Sequence, residues 1–196
     1  LPISVAVRTP GARTLRRGGT VRLPLAVTVP AGTAPGTYTV PVRFTVAGRT
    51  VERPVTVRVH LPAGGRDLVP GGLATSSGDE TPDFPAAAVA DGDPATRWSS
   101  PVDDSAWVQV RLRTPARVGK VVLHWQDAYA ARYQVQTSAD GVTWHTAVTV
   151  ADGGGGDETV WLDGAGQAGY IRVRGVRRAT AFGYSLYGIE AYAVTG

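Results

Sequence analysis

The chain has 196 residues, of which 43% are hydrophobic and 18% charged, a composition typical of a folded globular protein that can bury a core. It contains no cysteine, which excludes a disulfide framework, a thiol nucleophile and a cysteine-ligated metal. No run reaches the roughly 18 apolar residues of a membrane-spanning helix. No signal peptide opens the chain, so we expect a targeting segment for secretion to lie outside it.

The net charge of +4 is unevenly distributed. Residues 1–66 carry ten basic residues and one acidic residue, whereas residues 67–196 carry ten basic and fifteen acidic residues. A basic segment can indicate a nucleic-acid or anionic-polymer partner. The arginines here occupy alternate, outward strand positions, as at Arg22, Arg43 and Arg58, which favours a solvated sheet face. We therefore expect no nucleic-acid partner, while an acidic cell-wall polymer stays open as a secondary partner of this segment.

Apolar and polar residues alternate with period two over the first sixty residues, which predicts about four strands. The strands cover Ile3–Arg8, Val21–Val29, Tyr38–Val46 and Val51–Leu61. In the second of them, one face is predicted to carry the apolar residues Val21, Leu23, Leu25, Val27 and Val29. Four strands are fewer than the roughly seven of a complete immunoglobulin-like sandwich. Either the chain begins inside this domain or the fold is a reduced one.

Small and turn-forming residues interrupt the alternation at Leu61–Arg66, which predicts a domain boundary. We assign residues 1–62 to the first domain, 63–66 to a linker, and 67–196 to a second domain. The linker is too short to act as a long flexible tether, so it should fix the angle between the domains. Beyond it, short runs predict further strands at Trp107–Leu112, Lys120–Trp125, Arg132–Ser138, Thr159–Leu162, Tyr170–Arg174 and Gly188–Ala193. Many short strands without helical periodicity indicate an antiparallel sandwich or jelly roll, so the whole chain is predicted to be all-β.

Two segments resemble known families. The stretch Val27–Tyr38 resembles the immunoglobulin-like accessory domains of bacterial glycoside hydrolases, in which a proline-glycine turn precedes a tyrosine-led strand. Residues 67–196 resemble the coagulation-factor 5/8 type C (discoidin) superfamily, in its bacterial branch, carbohydrate-binding module family 32. The matching segments are Phe84–Ser100, Trp107–Val110, Val121–Ser138, Asp140–Trp144, Tyr170–Val173 and Phe182–Glu190. The resemblance implies a discoidin-type jelly-roll β-sandwich that binds carbohydrate, preceded by a domain that provides spacing or packing.

A cation site is predicted in the segment that follows Ala90. Asp91, Asp93 and Thr96 place oxygen ligands within six residues, and Gly92 and Pro94 make the chain curl. Such a loop suits a structural Ca²⁺, which takes six to eight oxygens. The alternative is an Asx-type turn without a metal. The family resemblance adds to the ligands a backbone carbonyl near Ala88 and the carboxylate of Glu190.

A sugar site requires converging hydrogen-bonding groups and a flat apolar face. The resemblance implies that Glu80, Arg97 and Asp127 bind sugar from three loops at one end of the sandwich. Tyr129 and Tyr184 are the predicted aromatic platforms, with Phe182 nearby. Related modules often have glutamate where this chain has Asp127, so the shorter acid is expected to alter sugar preference, while Glu80 has the alternative of being simply solvated.

The remaining aromatic residues and the histidines are predicted to be structural. We expect the indoles of Trp107, Trp125 and Trp144 to pack between the two sheets and that of Trp98 to be buried. The chain's three histidines are His60, His124 and His145, and they show no metal-ligand spacing. His124 alternates with Trp125 and is expected to point outward.

The predicted function is non-catalytic carbohydrate binding that targets a secreted, extracellular glycoside hydrolase to an oligosaccharide or polysaccharide. The catalytic domain is expected N-terminal to Leu1, and the protein is expected to be a monomer. One alternative is a structural spacer without ligand, and another is a discoidin domain that binds lipid or protein; the acidic balance and polar loops argue against membrane binding. A third is a glycosidase that uses Glu80 and Asp127. Against it, Arg97 beside both acids would favour their ionised form, whereas a general acid must retain a proton.

Overall fold

The computed structural model describes residues 3–7, 18–20, 22, 24–46, 48–164 and 166–195. It divides into two compact units, Leu1–His60 and Leu61–Gly196. The described residues form β-strands and one 3-10 turn, with no α-helix among them. The predicted all-β class is therefore confirmed. No helix in the described part of the chain is long and apolar enough to cross a membrane.

The described residues of the first unit form two antiparallel strand pairs. Strand β1 (Ser4–Val7) pairs with β2 (Leu25–Thr28), and β3 (Gly36–Val46) pairs with β4 (Arg49–Val59). Alternate residues of β3 are buried or half-buried, as the period-two pattern predicted, with Val42 only 5% exposed. The other face is solvated and carries an ion pair in which Arg43 Nε lies 2.8 Å from Glu52 Oε2. The immunoglobulin-like assignment of this unit stays a prediction.

The apolar face predicted for β2 is exposed to solvent where the structure describes it. Leu25, Val27 and Val29 are 43%, 46% and 41% exposed, and the neighbouring Ala26 is half-buried instead. Among the described strands, β2 pairs only with the four-residue β1, and such a short ribbon cannot cover a row of large apolar side chains. Val21 and Leu23 lie outside the described residues.

The second unit contains nine strands and a 3-10 turn at Ala86–Ala90 among its described residues. The strands are β5 (Ala63–Gly64), β6 (Leu73–Ser76), β7 (Trp98–Ser99), β8 (Trp107–Trp125), β9 (Ala130–Ser138), β10 (His145–Val150), β11 (Asp157–Trp161), β12 (Gln167–Arg178) and β13 (Ser185–Val194). Strand β5 falls within the predicted linker at 63–66 and pairs with β13. This part of the predicted linker is therefore built into a sheet of the second unit.

Strand β8 joins the two sheets of the sandwich. Its first part pairs with β12 and β6 in a five-stranded sheet of order β10-β9-β12-β8-β6, and its second part pairs with β11 and β13 in the other sheet. Two separate strands were predicted here, and that prediction is wrong because residues near Arg117 keep backbone pairing with β12. Gly119 lies where β8 changes partners, and a Cβ there would come within 2.6 Å of the Ala63 Cβ.

The core lies between the two sheets and is formed by alternate residues of their strands. From β8, for example, Val108, Val110 and Leu123 are fully buried. The predicted burial of Trp98 and Trp125 is confirmed, since their side chains are only 1% and 5% exposed.

Trp107 and Trp144 do not pack between the sheets, so that prediction is wrong. Both are half-buried, and the guanidinium of Arg172 lies between them, 4.3 Å from the Trp107 ring centre and 3.7 Å from that of Trp144. Trp107 precedes the core residue Val108, and because successive side chains of a strand point to opposite faces, its indole lies on the outer surface of the five-stranded sheet.

Candidate functional site

Two buried serines connect the three segments that were predicted to carry the sugar site. The hydroxyls of Ser99 and Ser185 lie 2.7 Å apart. The Ser99 carbonyl accepts a hydrogen bond from the Glu80 N–H at 2.7 Å, and the Ser185 N–H donates to the Ala128 carbonyl at 2.8 Å. The segments that carry Glu80, Arg97 and Asp127 therefore meet at one end of the sandwich, which we call the loop end.

The guanidinium of Arg97 is held in place from two directions. It lies 3.9 Å from the centre of the Phe84 ring, and its Nε donates to Ser99 Oγ at 3.3 Å. Its terminal Nη groups make no hydrogen bond to any described residue. Because a cation stacked on an aromatic ring is fixed in orientation, Arg97 offers two positioned donors to a ligand.

The two predicted acids are exposed at the loop end. Both Glu80 and Asp127 are exposed, and among the described residues Asp127 accepts only a long hydrogen bond, from Gln126 Nε2 at 3.4 Å. By contrast, the neighbouring Asp79 accepts hydrogen bonds from Ser76 Oγ at 2.7 Å and from the Trp98 indole at 3.0 Å. Asp79 therefore stabilises the fold, whereas the exposed carboxylates of Glu80 and Asp127 make no short hydrogen bond to a described residue.

Tyr184 cannot serve as an aromatic platform, which corrects the prediction. Its side chain is only 2% exposed, and its hydroxyl donates to the Asp104 carbonyl at 2.8 Å. The ring lies against the backbone of Gly175, where a Cβ would overlap it. Tyr129 is half-buried and packs on Gly155, where a Cβ would lie 2.7 Å from the ring, so only part of it is accessible.

Phe182 is the exposed aromatic residue of this region, with 70% of its surface accessible. Its loop is held by Arg178, which pairs with Asp104 at 2.9 Å and donates to the Phe182 carbonyl at 3.3 Å. The following residues place this loop beside Ser99, because the Tyr184 N–H donates to Ser100 Oγ at 2.8 Å. Sequence reasoning assigned Phe182 only a neighbouring position, since nothing in the local pattern shows which of two nearby aromatic rings is buried.

The loop predicted to bind a cation brings three oxygens together. Thr96 Oγ lies 2.8 Å from Asp91 Oδ2 and 3.0 Å from the Asp93 carbonyl oxygen. These are hard ligands of the kind that Ca²⁺ takes. Ala88 is buried in the 3-10 turn just before this loop. Among the described residues, however, no group of three histidine, cysteine or acidic side chains is spaced to hold a metal.

Glu190 is engaged by other partners. Its carboxylate accepts hydrogen bonds from Tyr192 Oη at 2.6 Å and from His124 Nε2 at 3.2 Å. It nevertheless lines the same cavity as Asp93, which has a volume of about 310 Å³. The role of Ala88, Asp91, Asp93, Thr96 and Glu190 as calcium ligands stays a prediction.

His124 bridges two carboxylates on the outer surface of the second sheet. Its Nδ1 lies 2.7 Å from Asp157 Oδ1, and its Nε2 faces Glu190. A neutral imidazole carries one N–H, so only the protonated ring can donate in both directions. Burial lowers the pKa of His124, but the hydrogen bonds to Asp157 and Glu190 outweigh that effect and raise the pKa above its ordinary value. His124 is therefore part of a hydrogen-bonded network with Asp157 and Glu190 on this sheet.

The second unit is thus a β-sandwich whose loops present polar groups and an aromatic ring at one end. Residues 73–188 match the F5/8 type C domain family. The chain belongs to this family.

Solved structures share the fold. Chitosan-binding module 1 of a chitosanase/glucanase from Paenibacillus sp. IK-5 is 37% identical, with a TM-score of 0.62, and the match covers 66% of this chain and all of the module. Chitosan-binding module 2 of the same enzyme, in complex with chitotriose, is 32% identical, with a TM-score of 0.61, covering 64% of this chain and 99% of the module.

A curated protein also matches. The polysaccharide lyase 8 family protein HylA of Enterococcus faecalis is 28% identical over an alignment of 118 residues that covers 57% of this chain. The match spans only 8% of the length of that protein.

Proposed function

We propose that the second unit is a non-catalytic module that binds a glucosamine-containing oligosaccharide or polysaccharide at the loop end. The observation that carries the proposal is the position of Arg97, fixed by Phe84 and Ser99 in the same loop cluster as the exposed acids Glu80 and Asp127. The Nη groups of Arg97 would donate to sugar hydroxyls, and the two carboxylates would accept hydrogen bonds from hydroxyl or ammonium groups. Phe182 would provide the apolar face on which a pyranose ring stacks.

The acidic residues at the loop end favour an amino sugar over a neutral one. A protonated amine is attracted to the exposed carboxylates of Glu80 and Asp127, and such charge-assisted hydrogen bonds are stronger than neutral ones. The two Paenibacillus modules described above, which are 32% and 37% identical to this chain, are chitosan-binding modules. A shallow, hydrated site implies weak binding, with a Kd on the order of 10–1000 μM.

We place the module in a secreted enzyme that degrades glycans, a glycoside hydrolase or a polysaccharide lyase. Binding to the polysaccharide would hold a fused catalytic domain close to its substrate and raise the effective concentration of cleavable bonds. This role needs no second copy of the chain, so a monomer suffices.

Calorimetric titration with the trisaccharide of glucosamine tests the sugar site. We expect Arg97→Ala to weaken binding at least about tenfold, because a charged hydrogen-bonding group contributes about 1.5–3 kcal/mol. Asp127→Ala should weaken binding of the amino sugar more than binding of its N-acetylated counterpart, since only the amino sugar carries a positive charge. Phe182→Ala should also weaken binding, whereas its matched control Val142→Ala, which removes a side chain 82% exposed in the turn after β9, should not.

An unchanged Kd in Arg97→Ala would contradict the proposed site. Binding that is lost equally in Phe182→Ala and Val142→Ala would mean that surface hydrophobicity alone is measured. If the folded wild-type chain binds neither sugar, the second unit acts as a spacer.

We also propose that Ca²⁺ is held by the loop from Asp91 to Thr96. Such an ion would neutralise adjacent carboxylates and fix the loop that leads to Arg97. Ca²⁺ at about 100 times its Kd should stabilise the folded unit by about 2.7 kcal/mol, because it binds the folded state alone. Thermal unfolding should therefore show a higher Tm with Ca²⁺ than with EDTA, and Asp91→Ala should remove the difference. A Tm that EDTA leaves unchanged in the wild-type chain would rule out the ion.

A further inference from the structure

One row of polar side chains crosses the outer surface of the five-stranded sheet, on the face opposite to the core. Each strand supplies one residue, and the register places them side by side. We call this the polar row, and it consists of Thr75, Gln109, Arg172, Gln136 and Thr146. Neighbouring strands are about 4.8 Å apart, so the three central residues span about 10 Å, the length of a short oligosaccharide.

The centre of the row is a fixed guanidinium between two indole rings. Arg172 lies between Trp107 and Trp144, and both its Nε and Nη2 donate to Gln109 Oε1, at 3.0 and 2.7 Å. The arrangement leaves Nη1 of Arg172 without a hydrogen-bond partner among the described residues. Half-buried aromatic rings beside a positioned cationic donor are the two elements that sugar recognition combines.

A buried acceptor in the row is also unused. Gln136 is 7% exposed, and its Nε2 donates to Gln134 Oε1 and Thr146 Oγ1, both at 3.2 Å. Its Oε1, however, is buried and has no hydrogen-bond partner in the described part of the chain. Buried polar atoms are nearly always paired in native structures, so the row has hydrogen-bonding capacity that the fold itself does not use.

The charge of this surface is opposite to that of the unit as a whole. Arg111 and Arg174 flank Arg172 and are exposed, and none of the three pairs with a carboxylate among the described residues. The strands β6, β8, β9, β10 and β12 contain no aspartate or glutamate. Burial lowers the pKa of Arg172, and repulsion from Arg174 lowers it further, as expected for guanidinium groups without a counter-ion.

We propose that this surface is a second glycan-binding site, separate from the loop end, that selects acidic oligosaccharides. A uronate carboxylate would pair with the guanidinium groups of Arg172 and Arg174, and the sugar ring would lie against Trp107 or Trp144. Planar guanidinium groups match the geometry of a carboxylate. A short acidic sugar fits better than a long polyanion, because residues 67–196 carry five more acidic than basic residues and would repel an extended negative chain.

The test is a titration of the full chain with tetragalacturonic acid, followed by tryptophan fluorescence. We expect Arg174→Ala combined with Arg111→Ala to weaken binding about tenfold or more, since each removes a charged donor. Neither arginine has a partner within the described structure, so both variants should fold. The matched control is Arg58→Ala, which removes an exposed arginine from the first unit and should leave the Kd unchanged.

Two comparison ligands distinguish recognition of the acidic sugar from simple attraction between opposite charges. The methyl ester of tetragalacturonic acid keeps the sugar and loses the charge, so it should bind at least about tenfold more weakly. Tetra-L-glutamate has a similar length and charge but lacks the sugar, and it should also bind more weakly. Equal binding of either ligand, or an unchanged Kd in the double variant, would overturn the proposal.

The proposals for this site and for the loop end can be tested independently of each other. The Arg97→Ala variant should bind tetragalacturonic acid as tightly as the wild-type chain does. The double variant of Arg111 and Arg174 should likewise bind the glucosamine trisaccharide with an unchanged Kd. Loss of both ligands in either variant would contradict the assignment of two separate sites.

Discussion

Replacing Glu158 by alanine should lower the free energy of unfolding by about 3 kcal/mol, because two buried donors lose their shared acceptor. Glu158 Oε2 accepts hydrogen bonds from the Trp125 indole at 3.0 Å and from Tyr133 Oη at 2.8 Å. Trp125 is 5% exposed and Tyr133 is completely buried, and Glu158 is the acceptor that both of their polar groups share. Burial raises the pKa of Tyr133 and the bond to Glu158 raises it further, so the phenol remains a donor at neutral pH.

Urea denaturation followed by tryptophan fluorescence measures this effect. All five tryptophans lie in the second unit, so the signal reports on that unit alone. Glu158→Gln keeps one acceptor oxygen and should cost about 1 kcal/mol, while the exposed Asp127→Ala should change stability by at most about 0.5 kcal/mol. A Glu158→Ala variant as stable as Asp127→Ala would show that the shared acceptor is unimportant.

Replacing Gly175 by alanine should destabilise the second unit by about 3 kcal/mol. The added methyl group would overlap the buried Tyr184 ring, which Trp125 flanks at a centroid distance of 6.4 Å. The ring has no room to move, because its hydroxyl is held by the Asp104 carbonyl. The change should also weaken sugar binding, since Phe182 and Ser185 lie on either side of this aromatic anchor.

The matched control is Gly64→Ala, where a Cβ would meet nothing within 4 Å. We expect that variant to differ from the wild-type chain by about 0.5 kcal/mol or less. Tyr184→Leu removes the ring and should therefore recover part of the stability lost in Gly175→Ala. If Gly175→Ala proves no less stable than Gly64→Ala, the steric account of Tyr184 burial is wrong.

The strands of the fold could be predicted where alternation is regular. In the first part of β8 and in β12, the core residues Val108, Val110, Ile171 and Val173 are each followed by a polar residue, and the pattern alone identifies the buried face. The same rule would have placed Trp107 on the outer surface, because it shares its face with Gln109 and Arg111. We predicted it as a core residue from its hydrophobicity, whereas its position in the alternation indicated the outer surface.

The candidate site could be predicted only in part, because some of its properties depend on distant residues. The segments of Glu80, Arg97 and Asp127 were expected to meet, and the Ser99–Ser185 contact joins them. The local sequence does not show which of Tyr184 and Phe182 is the exposed aromatic ring. Tyr184 is buried because Gly175, on another strand, has no side chain and leaves room for its ring. Likewise, one partner of Glu190 is His124 on β8, which lies 66 residues away in the sequence.

The titration of the wild-type chain beside Arg97→Ala with the glucosamine trisaccharide tests the central claim most directly. We predict measurable binding, with a Kd on the order of 10–1000 μM, that weakens at least about tenfold when the guanidinium is removed. Equal affinity of the two proteins for the trisaccharide, with both shown to be folded, would contradict the claim that the loop end is the sugar-binding site.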